Sequence, residues 1–410
     1  MKFERYAIAP QIKTNLEKMG LKRPTDIQFK AIPHILKGED LLAIAQTGTG
    51  KTAAFAIPVI NNLEARKIAN RPDGIKCIVM VPTHELAIQI SGVFEEVAKG
   101  TGIKTYCIHG GVDQDPQIKS LEKGFDILVA TPGRMFDLVS QGHLRLNRIE
   151  ILILDEADHM LDLGFINDIK QLVKKLPHKR QTLFFSATIN ETIKKLAYSL
   201  VRNAIRIQIS PKNPVARNID HFVTFIDMDD KRFFLERLIN ENPDKKILVF
   251  VRTKVRAERV CKAMERVNIA SDTIHSDKDQ NKRSAVMQSF RSGDNKVLIA
   301  TDVSARGIDI PNVDYVVNYD LPEQTENYVH RVGRTGRGTQ RGHAVSFCSE
   351  EEKPLLEEIE GFLGSPIEVF EVEKDDYKET LATSKESHAD WKTLMRQAEE
   401  DGRKKRKKKK

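Results

Sequence analysis

At 410 residues the chain is long enough for two domains, and a hydrophobic content of 40% excludes wholesale disorder. The formal net charge of +8 points towards polyanions such as nucleic acid, although eight consecutive basic residues, Arg403 to Lys410, hold much of the excess. The four cysteines, Cys77, Cys107, Cys261 and Cys348, form no C-x-x-C pair and no zinc spacing, so they read as buried free thiols of a reducing compartment. The N-terminal segment is not a secretory signal, and no window holds the roughly eighteen apolar residues that a membrane span needs. A soluble, cytoplasmic protein without a membrane partner is expected.

Along the chain, short apolar runs alternate with longer amphipathic stretches. Leu41–Ala45, Cys77–Val81, Asp126–Ala130, Ile151–Leu154 and Thr182–Phe185 are rich in Ile, Val and Leu, the pattern of strands buried on both faces of a parallel sheet. Glu85–Ala98 and Phe165–Lys175 between them read as helices. The alternation predicts a doubly wound α/β sheet. Ser210-Pro211-Lys212-Asn213-Pro214-Val215 is polar and Pro-rich, a linker signal. The pattern then restarts with Ile247–Val251, Val297–Thr301, Tyr315–Val317 and Ala344–Phe347. A first domain is therefore placed at 1–209 and a second at 217–372. From Glu373 the chain is highly charged, contains the single tryptophan Trp391, and reads as a disordered basic tail, 373–410. That tail is equally well a solvated end or a non-specific RNA tether.

Ala45-Gln46-Thr47-Gly48-Thr49-Gly50-Lys51-Thr52 follows a strand pattern and opens a helical one, the context of a phosphate-binding P-loop. Small residues let backbone N–H groups close around phosphate oxygens, and the following helix directs its positive end at the anion. Lys51 would reach the β- and γ-phosphates and Thr52 would hold magnesium. Ala45 stands where the strict pattern begins with glycine. Asp155-Glu156-Ala157-Asp158 directly follows the strand pattern Ile151–Leu154, at the strand end where open α/β sheets bind ligands. There Asp155 can act on magnesium and Glu156 can orient or deprotonate a water.

Asp155–Asp158 spells D-E-A-D, and the chain resembles the DEAD-box RNA helicases of superfamily two, of the bacterial type, over nearly all of residues 1–372. The resemblance implies two tandem RecA-like domains, each a mostly parallel sheet flanked by helices, with ATP and RNA bound across their cleft. Gly20-Leu21-Lys22-Arg23-Pro24-Thr25-Asp26-Ile27-Gln28 is similar to the Q motif, which makes Gln28 the reader of adenine and Phe3 an upstream aromatic that stacks on the base. Thr47, Gly48, Thr49 and Gly50 complete the phosphate cradle. Ser186-Ala187-Thr188 resembles the motif that links hydrolysis to domain movement, with Asp158 as a partner for its hydroxyls; Thr188 could equally be a helix cap. His330-Arg331-Val332-Gly333-Arg334-Thr335-Gly336-Arg337 resembles motif six, which implies that Arg334 and Arg337 are arginine fingers and His330 a coupling residue. Asp309 matches a ribose contact.

The resemblance also implies an RNA track. Its first-domain members are Pro82, Thr83, Gly110, Gly111, Thr131, Pro132, Gly133 and Arg134. Its second-domain members are Arg252, Thr253, Gln280, Arg283 and Thr301. Hydroxyls, backbone amides and guanidinium groups position a strand without reading bases, so little sequence specificity is expected. The family's P-T-R-E-L-A reads P-T-H-E-L-A here, with His84 in place of arginine and one phosphate contact weakened. The reading is an RNA-stimulated ATPase, dependent on ATP and Mg2+, that closes its domains to unwind short duplexes locally. The alternatives are an ATP-gated RNA clamp and a double-stranded DNA translocase. A monomer is the default, ribonucleoprotein partners fit the class, and the physiological RNA is not readable.

Overall fold

The computed structural model describes residues 2–46, 48–67, 74–209, 215, 218–275, 277–305, 313–336 and 341–384. Thr47, Asp309, Arg337, the linker residues 210–214 and the tail residues 385–410 lie outside them. The chain divides near residue 214 into two compact units.

In the first unit the strands are β1 (Leu41–Ala45), β2 (Cys77–Met80), β3 (Thr105–Ile108), β4 (Ile127–Ala130), β5 (Ile151–Leu154), β6 (Gln181–Ser186) and β7 (Ile205–Ile209). They lie in the order β3-β4-β2-β5-β6-β1-β7, and the neighbouring pairs are parallel. Successive side chains of a strand face opposite sides. Accordingly Leu41, Ala43 and Ala45 of β1 enter one core cluster while Leu42 and Ile44 enter the other. Cys77 and Val79 of β2 separate from Ile78 and Met80 in the same way. Burial on both faces explains why these strands are apolar at every position.

The second unit contains β8 (Ile219–Phe225), β9 (Ile247–Phe250), β10 (Asp272–Ile274), β11 (Val297–Ala300), β12 (Tyr315–Asn318), β13 (Gly342–Cys348) and β14 (Glu368–Val369). Their order is β10-β11-β9-β12-β13-β8-β14, again with parallel neighbours. Counted from the first strand of each unit, the two orders are the same. A parallel pair needs a crossover between its strands, and helices supply it in both units. Tandem sheets of this kind are the RecA-like architecture that the resemblance implies.

The chain beyond residue 372 differs at its start from an irregular tail. Residues Lys374–Thr383 form a helix. Its charged sequence hides two anchoring side chains. The Tyr377 ring meets Phe234 with centroids 4.8 Å apart, and its hydroxyl donates to Asp230 Oδ2 at 2.9 Å and accepts from the Asp227 N–H at 3.1 Å. Thr380 is buried and accepts from Arg237 Nη1 at 2.8 Å. Replacing Tyr377 with alanine removes a ring contact and two hydrogen bonds. We expect it to lower stability by about 2 kcal/mol in urea denaturation of the full chain. An unchanged transition would show that the helix contributes nothing to the second unit.

Candidate functional site

Parallel strands carry their outgoing loops along one edge of a sheet. In the first unit the neighbours β5, β6 and β1 end at the Asp155–Asp158 segment, at Ser186-Ala187-Thr188 and at the phosphate loop. On the other side of the sheet, β3, β4 and β2 end at Gly110-Gly111, Thr131–Arg134 and Pro82–Ala87. The motifs expected to hold nucleotide and those expected to hold RNA therefore share one edge and occupy different halves of it.

Gly50 caps the helix Lys51–Arg66 in the left-handed region, at φ 92°. A Cβ there would lie 2.5 Å from Gln28 Nε2, so a glycine is required on both counts. Gln28 Nε2 donates to Gly50 O at 3.1 Å, and Gln28 Oε1 accepts from the Thr25 N–H at 3.0 Å as part of the capping box of the helix Asp26–Leu36. Gln28 is itself buried, and one amide hydrogen and one oxygen lone pair take no partner among the described residues. Lys51 is buried and donates to Ala45 O at 2.9 Å, and Thr49 Oγ1 donates to Gln46 O at 2.7 Å. Thr52 is half-buried in the first helical turn. Phe3 departs from the expected base-stacking role. Its ring is 4% exposed, packed in the core and 6.1 Å from Tyr6 between centroids, so burial of its apolar faces has won over display to a ligand.

Asp155 is 2% exposed. Burial pushes its carboxyl up to about 6; the Lys51 charge and the Glu156 N–H oppose this, while the Glu156 and Asp158 carboxylates add to it. Glu156 occupies the left-handed region at φ 52° and ψ 50°, a conformation that costs a non-glycine residue about 1–3 kcal/mol. Asp158 Oδ2 accepts from the N–H groups of Ala187 and Thr188 at 3.1 and 2.9 Å and from Thr188 Oγ1 at 3.1 Å. The loop after β5 is thus tied to the loop after β6. Thr188 is not a helix cap, because Asn190 caps the helix Glu191–Leu200 with a bond of 2.9 Å from Ile193 N. Ser186 Oγ is buried and has no hydrogen-bond partner among the described residues.

In the RNA half, Thr83 caps the helix His84–Ala98 by accepting from Leu86 N at 3.3 Å. The His84 ring lies against His109, with centroids 5.2 Å apart, and a Cβ on Gly110 would stand 3.3 Å from His84 Nε2. Arg134, in the helix Pro132–Ser140 that follows Thr131, donates through Nη2 to Val112 O at 2.7 Å. The three loops therefore touch one another. In the second unit Arg252-Thr253, Gln280–Arg283 and Thr301 follow β9, β10 and β11, the topological counterparts of β2, β3 and β4. Thr253 caps the helix Lys254–Arg266 at 3.2 Å, and Thr301 Oγ1 donates to Ser304 Oγ at 3.2 Å. Gln280 and Arg283 begin the helix Gln280–Ser292, although the Gln280 side chain lies outside the described residues. Arg334 is 4% exposed and donates from Nε to His330 O at 3.3 Å, below the helix Thr325–Val332 that carries His330.

Known proteins place this arrangement. Residues 25–196 match the DEAD/DEAH box helicase family and residues 230–339 match the helicase conserved C-terminal domain. The DEAD-box ATP-dependent RNA helicase RhpA of Helicobacter pylori is 39% identical over 375 residues, which span 90% of this chain and 74% of that protein. The ATP-dependent RNA helicase CshA of Listeria monocytogenes is 39% identical over 88% of this chain and 68% of its own length. The solved structure of S. cerevisiae Dbp5 bound to RNA and ADP BeF3 has a TM-score of 0.81 at 30% identity, covering 92% of this chain and 97% of that one. Mss116 bound to ssRNA and UDP-BeF gives 0.83 at 27% identity, covering 94% and 82%.

The chain belongs to the DEAD-box RNA helicases.

Several contacts of this helicase escape motif reading. Arg331 forks onto Asp302, with Nε to Oδ1 at 2.6 Å and Nη2 to Oδ2 at 2.7 Å, and its Nη1 donates to Asp320 O at 2.6 Å. It locks the segment after β11 to the motif-six helix and is itself fully buried. Its place between His330 and Arg334 gives no sign of this structural role. Among the described residues no group of three His, Cys, Asp or Glu side chains could hold a metal. No helix among them is long and apolar enough to cross a membrane.

The Asp155 shift has a thermodynamic sign. Its folded carboxyl keeps a proton to about pH 6, above the ordinary 3.8, so the ionised form costs stability above pH 6 and the cost fades as pH falls towards 3.8. Asp155→Asn should therefore stabilise the nucleotide-free protein by on the order of 1–2 kcal/mol at pH 7.5, with the gain shrinking at pH 5. Urea denaturation at the two pH values measures it, and a pH-independent gain would refute the desolvation account.

Proposed function

We propose that the chain is an RNA-stimulated ATPase that separates short RNA duplexes locally, using the residues above in the roles that follow. The observation that supports it best is the shared sheet edge, where Asp158 joins the loops after β5 and β6 beside the phosphate loop.

Gln28 reads adenine with the donor and acceptor left over from its capping duties. Lys51 exchanges the Ala45 carbonyl for the β- and γ-phosphates of ATP, with Gly48, Thr49 and Gly50 presenting backbone N–H groups. Asp155 and Thr52 hold Mg2+. The fit is good, since Asp155 is a buried carboxylate short of countercharge and magnesium characteristically combines one or two carboxylates with phosphates and water. When bound, Mg2+ neutralises charge on the phosphate oxygens. Glu156 orients the attacking water, and Arg334 and Arg337 supply guanidinium groups to the phosphates. Asp309 takes the ribose. Ser186, Thr188, Asp158 and His330 pass the phosphate state to the RNA half. The RNA-facing hydroxyls, backbone groups and Arg134, Arg252 and Arg283 bind phosphate and sugar, so RNA is preferred through its 2′-hydroxyl and not through base sequence. A monomer acting in the cytoplasm on ribonucleoprotein substrates fits this chemistry.

Steady-state ATP hydrolysis with and without single-stranded RNA tests the proposal. Strong stimulation by RNA and not by DNA is expected, with Glu156→Gln lowering kcat by about 10²–10⁴-fold. Equal rates with and without RNA would sink it. His84→Arg restores a forked cation beside Gly110 and should tighten RNA binding and steepen its salt dependence by about 0.7 in log–log slope. An unchanged slope would mean that position 84 does not face phosphate.

A further inference from the structure

The second unit holds a buried ion pair, Glu352 with Lys231, whose two members lie outside every motif discussed so far and which adjoins Arg252. Glu352 lies in a short 3-10 turn, Glu350–Glu352, just after β13. It is 2% exposed. Its Oε1 accepts from Arg252 Nη2 at 3.1 Å and from the Leu321 N–H at 3.2 Å. Its Oε2 accepts from Lys231 Nζ, from the Ser349 N–H at 3.1 Å and from Ser349 Oγ at 3.3 Å. Lys231 is 0% exposed and also donates to Tyr319 O at 2.8 Å.

A carboxylate taken from water needs partners on all its lone pairs, and Glu352 has them from four separate segments. Lys231 offsets its charge from the interior side. Arg252 approaches from the other side and keeps about a third of its side chain in solvent. Its backbone N–H is held too, by Asp320 Oδ2 at 2.9 Å. The guanidinium is therefore gripped at Nη2, which also meets Leu321 O at 3.5 Å, and its Nε lies 3.7 Å from Glu323 Oε1, so Nη1 is the edge left to donate in a fixed plane. A forked donor set binds a phosphate best when its plane is set beforehand, because fewer rotamers are lost on binding.

We propose that Glu352, backed by Lys231, is a positioning residue that presets the Arg252 guanidinium for an RNA phosphate. The inference rests on the reading of Arg252 as an RNA contact. Glu352 touches no RNA itself. It acts through Arg252, and Lys231 allows its charge to remain buried.

Binding of a short labelled polyuridylate to the full chain, with a non-hydrolysable ATP analogue and at several salt concentrations, tests this. Arg252→Ala should weaken binding about fivefold to tenfold and lower the salt slope by about 0.7, the loss of one phosphate contact on a single strand. Glu352→Gln should do nearly the same and should add nothing further in the Arg252→Ala background. Glu352→Asp should recover part of the affinity. Because Glu352→Gln strands Lys231, the pair Lys231→Met with Glu352→Gln is measured alongside. It removes both buried charges together and, with thermal denaturation as the check, keeps the fold. The pair should show the same loss of RNA affinity while its affinity for the ATP analogue without RNA stays at the wild-type level. A folded pair with wild-type RNA affinity and salt slope overturns the positioning role and leaves the Arg252 contact standing. A Glu352→Gln effect that persists on top of Arg252→Ala also overturns it. Wild-type binding by Arg252→Ala alone removes the RNA contact, and the inference with it.

Discussion

Parallel pairing of every strand is the constraint from which the rest follows. Each strand must be left and re-entered through a crossover, so all outgoing loops emerge along one edge of the sheet. Residues far apart in the chain meet there without any dedicated scaffold. The phosphate loop and the Asp155–Asp158 segment are separated by some hundred residues, yet only β6 lies between the strands that carry them. The same topology repeated in the second unit puts Arg252, Gln280 and Thr301 on the counterparts of the strands that carry Pro82, Gly110 and Thr131. One folding rule, used twice, thus sets the corresponding motifs of each unit on corresponding strands.

The contacts that join the loops are mostly carboxylates accepting from several donors at once. Asp158 gathers the Ala187–Thr188 segment, Asp302 takes the Arg331 fork, and Glu352 gathers Lys231, Arg252 and the turn around Ser349. A carboxylate with this many partners fixes the geometry of whatever surrounds it. Asp155 is the exception. It is buried with too few donors, and its raised pKa records the shortfall. A polar group left wanting in this way belongs at a position completed by a ligand.

Much of this was legible in the sequence where the information is local. Leu41–Ala45 and Ile151–Leu154 read as strands with the same bounds that the structure shows, because burial on both faces makes them continuously apolar. Ile205–Ile209, Asp272–Ile274 and Glu368–Val369 were not legible. All are short and lie at the edges of their sheets, where one side meets solvent and the apolar run breaks up. The helix Lys374–Thr383 was hidden by its charges, since Tyr377 and Thr380 are its anchoring side chains. Contiguous motifs were legible as sets. Their partners were not: nothing in spacing joins Gln28 to Gly50 or Arg252 to Glu352, 100 positions apart. Phe3 shows the converse, a motif position whose side chain the core has claimed.

Each seven-stranded sheet is complete within its own unit. Cooperativity in unfolding follows hydrogen-bonded ladders and shared cores, so each unit is a cooperative block in its own right. Where two such blocks melt at different temperatures, the van't Hoff and calorimetric enthalpies of the whole do not coincide. A single melting temperature for this helicase would therefore describe whichever half gives way first.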